Sequence, residues 1–279
     1  MLRKFVKMQG CGNDYIYFDC METELADPVS LAVRLSDRRF GVGGDGIVMI
    51  CPSYAAAARM RMFNSDGSEG RMCGNAIRCV AKYLYDEGIV PKTEMTIETL
   101  SGVKALSLAA GEGRTLTCAV DMGAAEFSPA KIPVALDGDR VVGRLVPVAG
   151  GEYRVTCVSM GNPHCVLFVD NPDAEDLPAI GPRFENDPLF PDRVNTEFVR
   201  VLNEGLIAMR VWERGSGETL ACGTGACAAV AAAAENGFVP KGEDVRVALR
   251  GGELTVNYTD ERVIMRGSAV KVFEGYIDI

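Results

Sequence analysis

The chain has 279 residues, with 29 basic against 38 acidic, and a formal charge of −9. That balance argues against nucleic acid, because phosphate binding calls for a basic surface, and no apolar run nears the roughly 18 residues that span a membrane. The length suits two domains with separate cores. Met1-Leu2-Arg3-Lys4-Phe5-Val6-Lys7 lacks a signal-peptide core, so a soluble, cytoplasmic protein is expected.

In chain order, residues 5–8 and 15–18 form short strands around the loop Gln9-Gly10-Cys11-Gly12-Asn13. Asp27-Pro28 opens a helix to about residue 37, with Asp at the cap and Pro in the first turn. The run Gly41-Val42-Gly43-Gly44-Asp45-Gly46 precedes a strand at 47–50 and lacks the G-K-[ST] ending, so it is a weak phosphate loop. A strand at 59–63 leads to Met72-Cys73-Gly74-Asn75-Ala76, which opens an apolar helix stopped by Gly88. Strands then alternate with turns at Ser101-Gly102 and Gly111-Glu112-Gly113. Residues 121 to about 156 carry the crossover into a second copy of the plan. That copy has strands at 153–158 and 165–169 around Gly161-Asn162-Pro163-His164, a helix near 176–184, and strands at 196–201 and 206–212. Ala221-Cys222-Gly223-Thr224-Gly225 then opens a nearly all-alanine helix stopped by Gly237. The final strands lie within 245–256, 262–265 and 270–276.

Cys73 and Cys222 are 149 positions apart, and the same offset aligns much else. It places Val90-Pro91-Lys92 on Val239-Pro240-Lys241, Gly12-Asn13 on Gly161-Asn162, Arg61 on Arg210, Glu69 on Glu218, Asn64 on Glu213 and Gly46 on Asn195. One gapless offset over residues 12 to 102 implies a duplication. The expected fold class is α/β (α+β), with two pseudo-symmetric halves, each mostly strands around one apolar helix. A pseudo-two-fold would set the two cysteine loops on opposite walls of a cleft, a usual place for a small-molecule site.

Ten cysteines with one histidine suit neither zinc nor disulfides. Cys73 and Cys79 are six apart and Cys222 and Cys227 five, unlike C-x2-C spacing, so no metal is expected, and without an export signal disulfides are not expected either. The other thiols fit as small buried hydrophobes. A cysteine at a helix start is different. Unpaired amides there lower its pKa and also bind carboxylate. Two such starts could grip one carboxylate and put a sulfur on each face of the adjacent carbon. One thiolate would take the α-proton while the opposite thiol returns another, inverting the centre.

Cys73-Gly74-Asn75-Ala76, Ala221-Cys222-Gly223-Thr224-Gly225, Gly10-Cys11-Gly12-Asn13-Asp14, Gly161-Asn162-Pro163-His164, Phe63-Asn64-Ser65-Asp66-Gly67-Ser68 and Arg193-Val194-Asn195-Thr196-Glu197-Phe198 together resemble the diaminopimelate epimerase family. The resemblance covers nearly the whole chain. It implies a pyridoxal-independent isomerase, without cofactor, interconverting LL- and meso-diaminopimelate in lysine and peptidoglycan precursor biosynthesis. It also implies a homodimer, no nucleic-acid or membrane partner, and a β-barrel-like sheet around a central helix in each half. The expected halves are 1–120 completed by 267–279, and 121–266. Carried over by position, Cys73 and Cys222 are the acid/base pair, and Gly74, Asn75, Gly223 and Thr224 hold the reacting carboxylate. Asn13, Asn64, Asn162, Asn195, Glu213 and Arg214 bind the rest of the diamino diacid. His164 and Glu213 tune the sulfurs. One position departs: the family often has a substrate-touching glutamine where this chain has Gly46.

Other readings have their own marks. A racemase of proline type carries different residues after the first Cys-Gly pair, so Asn75 speaks against it. A cysteine acyl transferase needs one nucleophile and a base, which leaves the second symmetric cysteine without a reason. A binding protein that kept the fold would not need either thiol.

Overall fold

A computed structural model describes residues 2–111 and 114–279. Met1 and the last two positions of the expected 111–113 turn lie outside the described residues. The chain divides into two compact units, one of residues 1–120 with 266–279 and the other of residues 121–265.

The first unit contains β1 (Leu2–Gly10), β2 (Asn13–Asp19), α1 (Pro28–Ser36), β3 (Gly46–Cys51), β4 (Ala58–Asn64), β5 (Glu69–Gly70), α2 (Gly74–Asp86), β6 (Glu94–Thr99), β7 (Gly102–Gly111) and most of β8 (Arg114–Gly123). The second contains β9 (Arg144–Val148), β10 (Gly151–Ser159), β11 (Pro163–Phe168), α3 (Leu177–Glu185), β12 (Asn195–Asn203), β13 (Leu206–Glu213), β14 (Gly217–Thr219), α4 (Gly223–Glu235), β15 (Asp244–Leu249), β16 (Gly252–Tyr258) and most of β17 (Val263–Gly267). β18 (Val270–Asp278) then pairs antiparallel with β1 in the first unit.

The pairing scheme is the same in both units. β1 pairs antiparallel with β2, β2 parallel with β3, and β3 antiparallel with β4; β4 continues parallel to β6. In the second unit β10, β11, β12, β13 and β15 repeat that series. The 149 offset carries β1 onto β10, α1 onto α3 and α2 onto α4 residue for residue. The repeat therefore begins earlier than the matching residues suggest: 151–159 is not crossover but the mate of β1. Leu2–Gly10 and Gly151–Ser159 share burial toward their C-terminal ends while sharing little side-chain chemistry. The partner on the far side of each differs, since β1 takes β18 whereas β10 takes β9.

Each central helix packs against strands of its own unit. α2 touches β1, β2, β6 and β7, and α4 touches β10, β11, β12, β13, β15 and β16. Alanine suits α4 doubly, because it favours the helix and its short side chain lets strands approach from all around. Only Thr224 and Glu235 of α4 escape full burial. On the other face of the strands, α1 covers a core that includes Phe18, Leu35, Ile47, Met49 and Phe63. α3 covers its equivalent with Leu177, Phe184 and Phe198. Covered on both faces, β3 is apolar without alternation and buried throughout. No helix among the described residues is long and apolar enough to cross a membrane.

Candidate functional site

Each unit presents a cysteine as the cap of its central helix. Cys73 is extended, at φ −135° and ψ 121°, and its sulfur accepts from Ala76 N–H at 3.5 Å. Cys222 matches it at φ −117° and ψ 114°, with Gly225 N–H at 3.3 Å. The helical ladder begins at Ile77 and Ala226, which donate to the carbonyls of Cys73 and Cys222. The sulfur takes the third amide and the ladder starts at the fourth. The first two amides, of Gly74 and Asn75 or of Gly223 and Thr224, lie outside both and carry the positive end of the helix dipole.

In the first unit, Asn13 follows a turn in which Cys11 and Gly12 have φ of +52° and +79°. The Cys73 thiol donates to Asn13 Oδ1 at 3.2 Å, and Asn75 Nδ2 reaches the same oxygen at 3.5 Å. Asn13 Nδ2 donates to Asp45 Oδ2 at 2.6 Å. Beneath this turn Arg78 is fully buried, donating to Gly74 O at 3.0 Å, Asn75 Oδ1 at 2.9 Å and Ser268 O at 3.2 Å. Asp14, next in line, takes Lys7 at 2.6 Å and both guanidinium nitrogens of Arg38. Burial alone would raise the Asp14 carboxyl, but the Arg38 and Lys7 hydrogen bonds outweigh it and hold it below the ordinary range.

In the second unit, Cys222 is 5 % exposed. Its sulfur lies 3.5 Å from Thr224 Oγ1, which accepts from Asn162 Nδ2 at 3.3 Å. Asn162 Oδ1 lies 3.1 Å from His164 Nε2, and His164 Nδ1 lies 2.6 Å from Glu197 Oε1. Glu213 bonds to the Thr219 hydroxyl and to Cys222, and burial pushes its carboxyl up. The expectation of a lowered thiol fails at Cys222. Burial, then the carboxylates of Glu213 and Glu197, push it well above the ordinary value, and the Thr224 and Gly225 donors offset only part of this. The helix dipole is outweighed by desolvation and like charge.

The remaining expected site residues fall around these two starts. Asn64, at the end of β4, faces Gly46 across the β3–β4 ladder and donates to Ser68 Oγ at 3.0 Å. Asn195 is 4 % exposed, donating to Pro163 O and accepting from Arg214 N–H, both at 2.9 Å. The Arg214 guanidinium donates to Asp192 O at 2.8 Å. Glu69 and Glu218 pair with Arg61 and Arg210, equivalent partners on β4 and β13. At Gly46 the backbone itself explains the missing side chain, since an added Cβ would stand 2.1 Å from Phe63 O.

Three contributors were missed. Asp45, Arg78 and Glu197 orient or underlie the expected residues, and Glu197 had a visible signal. It is a carboxylate on a strand whose mate 149 positions earlier is Val48, an apolar residue in the same register.

Comparison with known proteins gives one family. The family model described as "Diaminopimelate epimerase" matches residues 5–128 and 156–272. A diaminopimelate epimerase of Desulfovibrio desulfuricans is 52% identical over 280 residues, covering 98% of this chain and 97% of that protein. One from Acetivibrio thermocellus is 50% identical over 278 residues, covering 99% of each. Among solved structures, a phenazine biosynthesis protein of Bacillus anthracis superposes with TM-score 0.71 at 17% identity over 100% of both chains. A hydroxyproline epimerase of Agrobacterium vitis gives 0.70 at 14%, covering 99% of this chain and 91% of that one. At such identity these two speak for the fold alone.

Proposed function

Since this chain belongs to the diaminopimelate epimerase family, we propose that it interconverts LL- and meso-diaminopimelate by two-base exchange of the α-proton between Cys73 and Cys222. An amino-acid α-proton is weakly acidic, so its removal needs a positioned base and stabilisation of the charge that moves into the carboxylate. The pairs of amides at Gly74 and Asn75, and at Gly223 and Thr224, suit that carboxylate. One sulfur removes the proton while the other supplies a new one to the opposite face. Cys222, its thiol held protonated by burial and two carboxylates, suits the donor in the resting enzyme.

Asn13, Asn64, Asn162, Asn195, Glu213 and Arg214 would recognise the remaining amines and carboxylate. Amide groups both donate and accept, while Glu and Arg match the two charges. Glu213, bonded to Cys222, and His164 would tune the sulfur. A cytoplasmic homodimer is part of the same proposal. The observation that carries it is the equivalent cysteine cap on both central helices, with the same amide of each first turn donating to sulfur.

The test is incubation with LL-diaminopimelate in deuterated water without pyridoxal phosphate. The expected result is the meso isomer with deuterium at the inverted centre. Unchanged substrate without α-deuterium would sink the proposal.

A further inference from the structure

Glu197 is a fully buried carboxylate with one partner. Oε1 meets His164 Nδ1 at 2.6 Å, both side chains are wholly shielded, and Oε2 has no hydrogen-bond partner among the described residues. Such a group costs stability unless something requires it. The fold does not, because Val48 fills the same register position in the first unit. The neighbourhood has changed to admit it. A Cβ on Gly225 would lie 2.7 Å from Glu197 Oε1 and 3.3 Å from Cys222 Sγ, whereas the mate of Gly225 is Ala76, which carries one.

We infer that Glu197 is a positioning residue for the epimerase reaction, holding the His164 ring so that a chain of hydrogen bonds runs in one direction into the sulfur of Cys222. The Glu197–His164 pair then holds two hydrogens, one in the Oε1···Nδ1 contact (carboxylate with imidazolium, or carboxylic acid with neutral ring) and one on Nε2, and it is the second that Nε2 donates to Asn162 Oδ1. That turns the Asn162 amide N–H toward Thr224 Oγ1. Having accepted there, the Thr224 hydroxyl directs its own hydrogen at Cys222 Sγ, alongside Gly225 N–H. Two donors then meet the sulfur whenever it carries the negative charge. Without Glu197 the ring can switch tautomer, Asn162 can flip its amide, and Thr224 then turns its hydrogen to Asn162 and its lone pair to the sulfur. The inference rests on Cys222 being one of the acid/base pair.

His164 is the single histidine of the chain, so its ring nitrogens are readable by 15N NMR without competing signals. Nε2 is expected to carry a hydrogen in the wild type and in E197Q, whose amide can donate to Nδ1, and to lose it or exchange tautomers in E197V. In E197V kcat should fall on the order of 30-fold with KM within about twofold, and E197Q should recover to within about threefold of wild type. A wild-type Nε2 without hydrogen, an E197V enzyme with wild-type kcat, or an E197Q enzyme as impaired as E197V would each overturn the inference. Should E197V not fold, the wild-type and E197Q spectra decide it. If the wild type itself exchanges no α-proton, the epimerase proposal fails first, and that result is distinguishable because it precedes any variant.

Discussion

The starts of α2 and α4 share a cysteine cap, an amide to each sulfur and an asparagine 60 residues upstream of each cap. The two asparagines face opposite ways. In the first unit Asp45 takes the Asn13 amide directly, so the carbonyl faces the Cys73 thiol. In the second unit a histidine stands between carboxylate and asparagine; the carbonyl of Asn162 faces the ring and its amide faces Thr224. The buried charges differ as well: Arg78 lies under the first turn of α2, whereas Glu197 and Glu213 press on Cys222. A duplicated backbone has been given two unlike electrostatic settings, and a reaction needing an acid and a base at once can use that difference.

The comparison breaks most visibly at the sulfurs. Cys73→Ala and Cys222→Ala should each cut turnover by at least about a thousandfold, read as meso product and α-deuteration; retention of activity in either would end the two-base account. Next come equivalent positions with unequal tolerance. Gly225→Ala, meeting Glu197 Oε1 at 2.7 Å, should cost about 1–3 kcal/mol by denaturant unfolding. The reciprocal Ala76→Gly should cost only about 1 kcal/mol, the ordinary helix penalty.

Asp45→Ala sharpens the contrast from the other side. Losing the acceptor for Asn13 Nδ2 frees that amide to flip, and kcat should drop about tenfold with the fold retained. A change confined to KM would mean that Asn13 serves binding alone. The smallest effect is acid stability. Asp14 is held below its ordinary 3.8, so its contribution is fully present above that pH and is lost as pH falls through the lower folded value. Arg38→Ala removes a largely exposed partner and should give up about 1 kcal/mol, moving the acid-unfolding midpoint upward. An unchanged midpoint would show that Lys7 suffices.

Much of this was legible in the residues. The 149 offset and the two C-G loops locate both central helices, and the caps Asp27 and Asp176 are where propensity puts them. The mate of β1 was hidden, because strand pairing constrains burial more than identity, and Gly151–Ser159 keeps the burial without the residues. The pairing of β9 with β10 carries no local signal either, since it depends on which edge is vacant. At the site, residue types named the participants, but the direction of the Cys222 shift depended first on how deeply the sulfur is buried and then on the two carboxylates beside it. Helix position alone pointed the other way.

The location of β18 has a consequence for synthesis on the ribosome. Residues 121–265 emerge as one uninterrupted run and hold everything assigned to their unit, while β1 waits for 270–278 before its outer edge is covered. The usual order, in which the part made first is finished first, is reversed here. The unit whose strands begin before residue 121 is sealed only after the whole of the other has been made, and until then an unpaired edge is open to neighbouring nascent chains.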